Sequence, residues 1–315
     1  MSGAVWGLIG VVVLILAAAT AAGQALSRQT DLGLNTGAVT AFNARVRAAW
    51  VSCCLLAGAF VFSPWVTVTL FGFISFWALR EFITLTPTRL GDHRALFWTF
   101  FLFTPLQYVL VAQDQFGLYS VLIPVYAFLF IPARVAVAGD SKRFLERIAK
   151  IQSGLLICVY CLSFAPALLY LNIEEDPQSK WRNAGLLLFF IIMVQIADAL
   201  QYVIGRVYGR HAIAPNINAS RTWEGFLGGS GCAALVGMSL WWATPFNPLQ
   251  AAGMSLLISV MAAAGGLTMS AIKRDRGVKD YGTLVEGHGG VLDRIDSICF
   301  AAPVFYHITR LLLTP

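Results

Sequence analysis

The chain has 315 residues, of which 58% are hydrophobic and only 12% are charged. A soluble domain averages about 25% charged residues and about 45–50% apolar ones, so this composition excludes an ordinary soluble domain and indicates an integral membrane protein. The formal net charge of +6 need not imply nucleic acid, because basic loops of membrane proteins face the anionic cytoplasmic leaflet. We therefore expect membrane lipids as partners and no nucleic acid.

Apolar runs recur along the whole chain, each close to the roughly 20 residues that a helix needs to cross a bilayer. They predict an all-α, polytopic protein with ten spans, at 4–26, 48–63, 65–83, 97–112, 117–138, 152–171, 184–205, 225–243, 248–268 and 297–314. The number becomes nine if the runs on either side of Pro64 form one kinked element instead of a tight hairpin. The first run lacks a preceding basic residue and is longer than a signal-peptide core, so we expect a retained helix.

The basic residues predict which side of the membrane each loop faces. With ten spans, most of the 22 Lys and Arg residues fall in loops on one side, which the positive-inside rule identifies as the cytoplasm. Both termini then lie on the non-cytoplasmic side. The loops 206–224 and 270–296 are basic, so both are predicted to be open to a water-soluble substrate from the cytosol.

The loop at 270–296 combines charges of both signs with glycine. Asp293 and Asp296 are three residues apart, so a helix would present both carboxylates on one face, where they suit a divalent cation such as Mg²⁺. Basic residues suited to phosphate precede them, and glycines that permit close backbone approach surround a histidine. These residues are Lys273, Arg274 and Lys279, and Gly287, Gly289 and Gly290 around His288. The pattern predicts a metal–polyphosphate site, although a solvated loop with internally paired charges would have the same composition.

The order of these residues resembles the signature of the phosphatidate cytidylyltransferases, also called CDP-diacylglycerol synthases. The residues at signature positions are Ser270, Lys273, Arg274, Lys279, Asp280, His288, Gly289, Gly290, Asp293, Arg294 and Asp296. The preceding stretch DALQYVIGRVYGRHAIAPNINASRTWEGFLGG resembles further elements of that family. Its matching residues are Asp198, Tyr202, Gly205, Arg206, Gly209, Arg210, Pro215, Ser220, Arg221, Thr222, Glu224, Gly225, Gly228 and Gly229. The N-terminal half is similar to the family only in its hydrophobic, multi-span character.

The resemblance implies that the chain joins CTP to phosphatidic acid, giving CDP-diacylglycerol and pyrophosphate. It implies a Mg²⁺ cofactor anchored by Asp293, with Asp296 and Asp280 as further ligands or orienting groups, and leaves open a second cation, monovalent or divalent. Four basic side chains would neutralise the phosphates of CTP or of the lipid: Lys273, Arg274, Lys279 and Arg294. The opposite wall of the site would be formed by Arg206, Arg210, Arg221 and Glu224. The remaining substrate-binding positions are Asp198, Tyr202, Ser220, Thr222, Ser270, Gly289 and Gly290.

His288 is expected to shape the loop or contact the leaving group, because a phosphate monoester is already largely ionised and needs no strong base. The resemblance also suggests a homodimer in a bacterial inner membrane, with the active site facing the cytoplasm. On this interpretation the chain divides into an N-terminal transmembrane region at 1–138, a linker with the sixth transmembrane helix at 139–183, and a C-terminal catalytic transmembrane region at 184–315.

Three positions depart from the family pattern. Gly266 stands where many bacterial members carry an aspartate, Gln201 replaces a small residue, and Arg221 replaces a lysine. The missing aspartate leaves the metal coordination open, with Asp198, Glu224 or water as candidates to complete it. Asp198 lies inside or at the end of the seventh predicted span, where an ionised carboxylate needs a polar cavity.

Other functions stay open beside the main prediction. The chain could be a related CTP-dependent transferase that acts on another lipid phosphate, such as an isoprenoid-chain substrate, or a catalytically weakened paralogue. A transporter is disfavoured, because the charge lies in two loops and no inverted repeat with paired broken helices is evident.

Overall fold

The computed structural model describes residues 3–28, 36–85, 88–173, 179–282 and 289–314, and nearly all of them are helical. This confirms the predicted all-α class. The long helices of the first part are α1 (Gly3–Arg28), α2 (Thr36–Phe62) and α3 (Pro64–Thr84). Ser63 caps α3, since its hydroxyl accepts the Trp65 N–H at 3.1 Å and Pro64 fills the first helical position.

The middle of the chain forms three membrane-length segments that change helix type along their length. They contain α4 (His93–Trp98) and α5 (Thr104–Ala112), then α6 (Phe116–Val121) and α7 (Phe128–Ala136), then α8 (Phe144–Leu155) and α9 (Leu162–Ala167). A π-helical stretch joins each pair, at Thr99–Phe103, Leu122–Ala127 and Leu156–Cys161. Pro124 lies inside the second stretch and Pro105 follows the first. A proline cannot donate to the preceding turn and crowds it, so a wider turn relieves the helix there.

The C-terminal part contains the elements that build the site. These are α10 (Ser179–Tyr208), a hairpin of β1 (Ala212–Ala214) and β2 (Asn218–Thr222), α11 (Trp223–Ser239), α12 (Pro248–Asp275) and α13 (Leu292–Leu313). The two strands pair antiparallel. Asn247 and Gln250 form a reciprocal capping box at the start of α12, which fixes where that helix begins.

Glycines bring α10, α11 and α12 into backbone contact. A Cβ on Gly225 would lie 2.6 Å from the carbonyl oxygen of Gln201, and a Cβ on Gly229 would lie 2.6 Å from the Gln201 Cα. Gly237 packs in the same way against Ser255 of α12. Small residues are what allow membrane helices to approach this closely. The packing places the hairpin between α10 and α11 beside the end of α12.

Seven helical segments among the described residues are long and apolar enough to cross a membrane. They are Val5–Ala25, Pro64–Thr84, Leu90–Ala112, Phe116–Ala136, Phe144–Tyr170, Asn183–Tyr208 and Pro248–Asp275. Each coincides with a predicted span, which supports a multi-span membrane protein. The other three predicted spans, 48–63, 225–243 and 297–314, overlap α2, α11 and α13. The total of ten, the sides of the termini and the division into three regions stay predictions.

Candidate active site

A polar cavity of about 350 Å³ lies where the hairpin meets the end of α12 and the loop after it. Its lining is Asn218, Ser220, Ser270, Lys273, Arg274, Lys279 and Asp280. All but Asn218 were predicted site residues. Three cationic side chains and one carboxylate therefore converge on a cavity large enough for phosphate groups.

The hairpin is fixed to α12 by polar contacts beside this cavity. The Asn218 amide donates to the Ser270 hydroxyl at 3.3 Å, and Arg274 Nε donates to the Ile217 carbonyl at 3.3 Å. The Ser220 hydroxyl donates to Asn218 Oδ1 at 2.7 Å, and the Ser270 hydroxyl donates to the Gly266 backbone carbonyl at 2.7 Å. Asn218, which sequence reasoning missed, therefore links the two walls of the cavity.

Asp293 holds the loop and a lysine in place from the first turn of α13. Its Oδ1 accepts from Lys273 Nζ at 2.9 Å, and its Oδ2 accepts the backbone N–H groups of Tyr281 at 2.8 Å and Gly290 at 2.9 Å. The side chain is 8% exposed. A carboxylate offers about four acceptor positions, so these three hydrogen bonds leave about one for a further ligand.

Gly289 brings Asp280 and Asp293 together. Its φ of +80° lies in the left-handed region that favours glycine. A Cβ there would lie 2.7 Å from Asp293 Oδ2 and 3.3 Å from the Asp280 carboxyl carbon. The two side chains therefore approach each other across a glycine that no larger residue could replace without moving them.

Asp296 lies one turn further along α13 and faces a different set of charges. Its Oδ1 accepts the Ser297 N–H at 2.7 Å. Its charge is repelled by Asp198 on α10 and attracted by Lys273 and Arg221. Within the part of the chain that the structure describes, no group of three or more His, Cys, Asp or Glu side chains is arranged to hold a metal ion.

Asp198 is paired with Arg221 at the end of the hairpin. Arg221 Nη2 donates to Asp198 Oδ1 at 2.8 Å, and Arg221 Nη1 donates to Gln201 Oε1 at 2.8 Å. The Gln201 amide in turn donates to the Ser259 carbonyl at 3.0 Å and the Ser259 hydroxyl at 2.8 Å. This chain of contacts joins α10, the hairpin and α12 around one guanidinium.

Glu224 is engaged with the loop after α10. Its Oε1 lies 2.5 Å from His211 Nδ1, and its Oε2 accepts the backbone N–H groups of Arg210 and His211 at 3.1 and 3.2 Å. These contacts, led by the His211 side chain, lower the pKa of Glu224 to about 2. Thr222 caps α11, since its hydroxyl accepts the Gly225 N–H at 3.2 Å. Glu224 and Thr222 thus shape the backbone beside the cavity.

The remaining predicted residues lie outside the cavity lining. Tyr202, Arg206 and Arg210 are exposed at the end of α10 and just after it, and Arg294 lies in the first turn of α13. Gly290 contacts Glu81. His288 and Gly287 lie outside the described residues.

Glu81 of α3 is a site residue that sequence reasoning missed. It is 4% exposed, and its two oxygens accept the N–H groups of Val291 at 3.0 Å and Leu292 at 2.8 Å. A carboxylate at a helix N-terminus is stabilised by the helix dipole and by the unpaired N–H groups there. The available signal was a carboxylate inside the apolar run at 65–83, since such residues are rare in spans and are usually buried in the protein.

Tyr281, in the loop between α12 and α13, is a third residue that the sequence reasoning missed, after Asn218 and Glu81. It is 3% exposed, its hydroxyl donates to the Met269 carbonyl at 3.0 Å, and its ring lies 5.4 Å from Lys273 Nζ. The lysine is therefore held between a carboxylate and an aromatic face, and both attract its ammonium group.

Comparison with known proteins identifies the family of the chain. The model of the cytidylyltransferase family matches residues 43–312. The chain belongs to the cytidylyltransferase family, and the predicted enzyme class is confirmed at that level.

Individual relatives extend this result. The Uncharacterized protein YnbB of Escherichia coli (strain K12) is 38% identical over 251 residues, which cover 78% of this chain and 80% of that protein. The Phosphatidate cytidylyltransferase of Synechocystis sp. is 43% identical over 119 residues, which cover 37% of this chain and 40% of that protein. The Phosphatidate cytidylyltransferase of Haemophilus influenzae is 37% identical over 152 residues, which cover 46% of this chain and 52% of that protein. The matches to the phosphatidate cytidylyltransferases thus span about half of their length.

Proposed function

We propose that the chain transfers the cytidylyl group of CTP to phosphatidic acid, giving CDP-diacylglycerol and pyrophosphate. The observation that carries this proposal is the cavity in which Lys273, Arg274 and Lys279 meet beside Asp280. Three cations suit the charge of a nucleoside triphosphate. The family and its named relatives supply the reaction class.

In the proposed reaction an oxygen of the lipid phosphate attacks the α-phosphorus of CTP. The bond from that phosphorus to the bridging oxygen of the β-phosphate breaks, and pyrophosphate leaves with the electron pair. Catalysis in such a transfer is mostly positioning and charge neutralisation. Lys273 is suited to this role because Asp293 and the Tyr281 ring fix its ammonium group. Arg274 and Lys279 would contact the other phosphate oxygens.

Mg²⁺ is part of the proposal, and the donor set fits it. Mg²⁺ is usually held by one or two carboxylates, with substrate phosphates and water completing six ligands. Asp280 and Asp293 approach each other across Gly289, and Asp293 keeps about one acceptor position, so this pair would hold the ion. Asp296 lies one turn further along α13 and would act as an orienting group. When bound, the ion would neutralise charge on the triphosphate. A second cation stays open.

The membrane arrangement completes the proposal. We place ten spans in a bacterial inner membrane, with both termini outside and the cavity facing the cytoplasm, because the basic loops then share one side. CTP would enter from the cytosol, and phosphatidic acid would enter from the bilayer. A homodimer rests on the resemblance alone, and the mass of the purified protein–detergent particle measures it.

A second lipid phosphate is the alternative substrate. The alignments with the named phosphatidate cytidylyltransferases of Synechocystis and Haemophilus influenzae cover less than half of this chain. YnbB, which matches 78% of the chain, carries no activity in its name. The cavity described above recognises phosphate and is compatible with either lipid.

One assay tests the function. Purified protein in detergent is given labelled CTP, Mg²⁺ and either phosphatidic acid or an isoprenoid phosphate, and labelled lipid is measured. We expect Mg²⁺-dependent labelling of phosphatidic acid. Labelling of the isoprenoid phosphate alone would establish the alternative, and labelling of neither lipid would refute both. A trace rate with phosphatidic acid would indicate the weakened paralogue.

A further inference from the structure

The three departures from the family pattern meet at one side chain. Gln201, Arg221 and Gly266 are far apart in the sequence, and each looks like an isolated change. In the structure the Arg221 guanidinium donates to Gln201 at 2.8 Å, and its Nη2 lies 2.8 Å from where a Cβ on Gly266 would be. The three positions therefore form one cluster on α10, the hairpin and α12.

Gly266 makes room for the guanidinium. A contact of 2.8 Å is shorter than real Cβ atoms accept, so either the arginine or the helix would have to move. The planar guanidinium cannot yield easily, because Asp198 and Gln201 already hold two of its nitrogens. Glycine in a helix interior destabilises the helix relative to alanine, so its presence calls for a reason. Glycine at 266 therefore has a packing reason within α12.

Hydrogen bonds from the amide nitrogen of Gln201 fix the orientation of its side chain. Its amide nitrogen donates to the carbonyl and hydroxyl of Ser259, and the Ser230 hydroxyl lies 2.9 Å from that of Ser259. Gln201 is 4% exposed, so these contacts fix which end of the amide faces Arg221. The oxygen is left as an acceptor for the guanidinium. Buried side chains on α10, α11 and α12 thus fix the acceptor that holds the Arg221 guanidinium.

The guanidinium also balances two carboxylates. Arg221 pairs with Asp198 at 2.8 Å and attracts Asp296, while Asp198 and Asp296 repel each other. The Arg221 and Asp198 side chains are 20% and 27% exposed, so water screens them only in part. Two partly buried carboxylates without a cation would be unstable or would bind one.

We propose that Arg221 is a resident cation that permanently fills the space between Asp198 and Asp296, and that Gly266 is there to admit it. Arg221 is then a positioning residue, and the exchangeable divalent ion is confined to the outer pair, Asp280 and Asp293. This inference rests on the proposed function only in taking the cavity as the active site, and the identity of the lipid does not enter it.

Direct counting of bound Mn²⁺ tests this proposal without turnover. Full-length protein in detergent, free of nucleotide, is titrated with Mn²⁺, and free Mn²⁺ is measured by electron paramagnetic resonance. Arg221→Gln removes the charge, whereas Gly266→Ala keeps it and displaces it. We expect each variant to bind one more Mn²⁺ per chain than the wild type. Arg94→Gln, which removes an exposed arginine of α4, is the matched control and should leave the number unchanged.

A second measurement, the thermal midpoint, keeps the proposal testable if Arg221→Gln destabilises the protein. The thermal midpoint of Arg221→Gln should rise with Mn²⁺ by more than that of the wild type, because the ion replaces the missing charge. An equal Mn²⁺ count in wild type, Arg221→Gln and Gly266→Ala would overturn the proposal, as would the same gain in Arg94→Gln. Failure of the proposed function would instead appear as absent lipid labelling by the wild type, whatever the Mn²⁺ counts.

Discussion

Asp293 and Glu224 occupy matching places in two parts of the site. Each lies in the first turn of a helix, each accepts two backbone N–H groups with one oxygen, and each meets a basic side chain with the other. Their surroundings differ: the Asp293 side chain is 8% exposed and pairs with Lys273, whereas Glu224 is 29% exposed and pairs with His211.

This difference separates a carboxylate beside the cavity from one that holds a turn. Asp293 orients a lysine that lines the cavity and approaches a second carboxylate, so on the proposed function its charge would act on the bound phosphates. Glu224 fixes the turn between α10 and β1, and its partner does not line the cavity. The same local geometry therefore orients a cavity side chain in one helix and the backbone of a turn in the other.

Neutralising Asp293 should have the largest effect. Asp293→Asn leaves Lys273 without its carboxylate and weakens the outer pair, so we expect cytidylyl transfer to fall at least about 100-fold. Glu224→Gln removes the same charge and should cost a much smaller factor. Initial rates with labelled CTP measure both, with elution in detergent as the folding check. Equal losses in the two variants would contradict the distinction.

Glu81 offers an intermediate effect, on stability. Glu81→Gln keeps the size of the side chain but removes the negative charge at the N-terminus of α13, so we expect a loss of about 1–2 kcal/mol. Unfolding in a denaturing detergent, followed by tryptophan fluorescence, measures it. Glu146→Gln is the control, since Glu146 is an exposed partner of Lys150 and should change the midpoint little. A neutral result for Glu81→Gln would show that the cap adds no stability.

The smallest predicted effect is the pH dependence of the stability that the Glu224 carboxylate contributes. Its pKa is about 2 in the folded chain and has an ordinary value of 4.5, so the carboxylate is stabilised by folding. That stabilisation is fully present above about pH 4.5 and is lost as the pH falls toward 2. The stability difference between wild type and Glu224→Gln should therefore shrink over this interval. Amide exchange of residues 209–214 at several pH values measures it, and a difference independent of pH would refute it.

The sequence predicted most of the residues that line the cavity, because the evidence for them is local. The spacing from Ser270 to Asp296 placed most of the cavity lining without coordinates. The apolar runs predicted the helices, but run length alone could not show where π-helical stretches divide them.

Residues that act over long distances in the chain were harder to find. Glu81 lies more than 200 positions before the amides that it accepts, and no spacing rule connects them. Considered alone, Gly266 suggested a missing metal ligand, and Arg221 was a change from lysine with no evident reason. Only the contact between them shows that one change makes space for the other. Such pairings are properties of packing, and a single sequence contains no record of them.

The contact of Glu81 with α13 has a consequence for dividing the gene. A fragment that starts at residue 139 would keep every signature position. It would lack the Glu81 carboxylate, which accepts the N–H groups at the N-terminus of α13. Supplying residues 1–138 as a separate polypeptide should then restore what the fragment lacks, provided that the two pieces meet in the same bilayer.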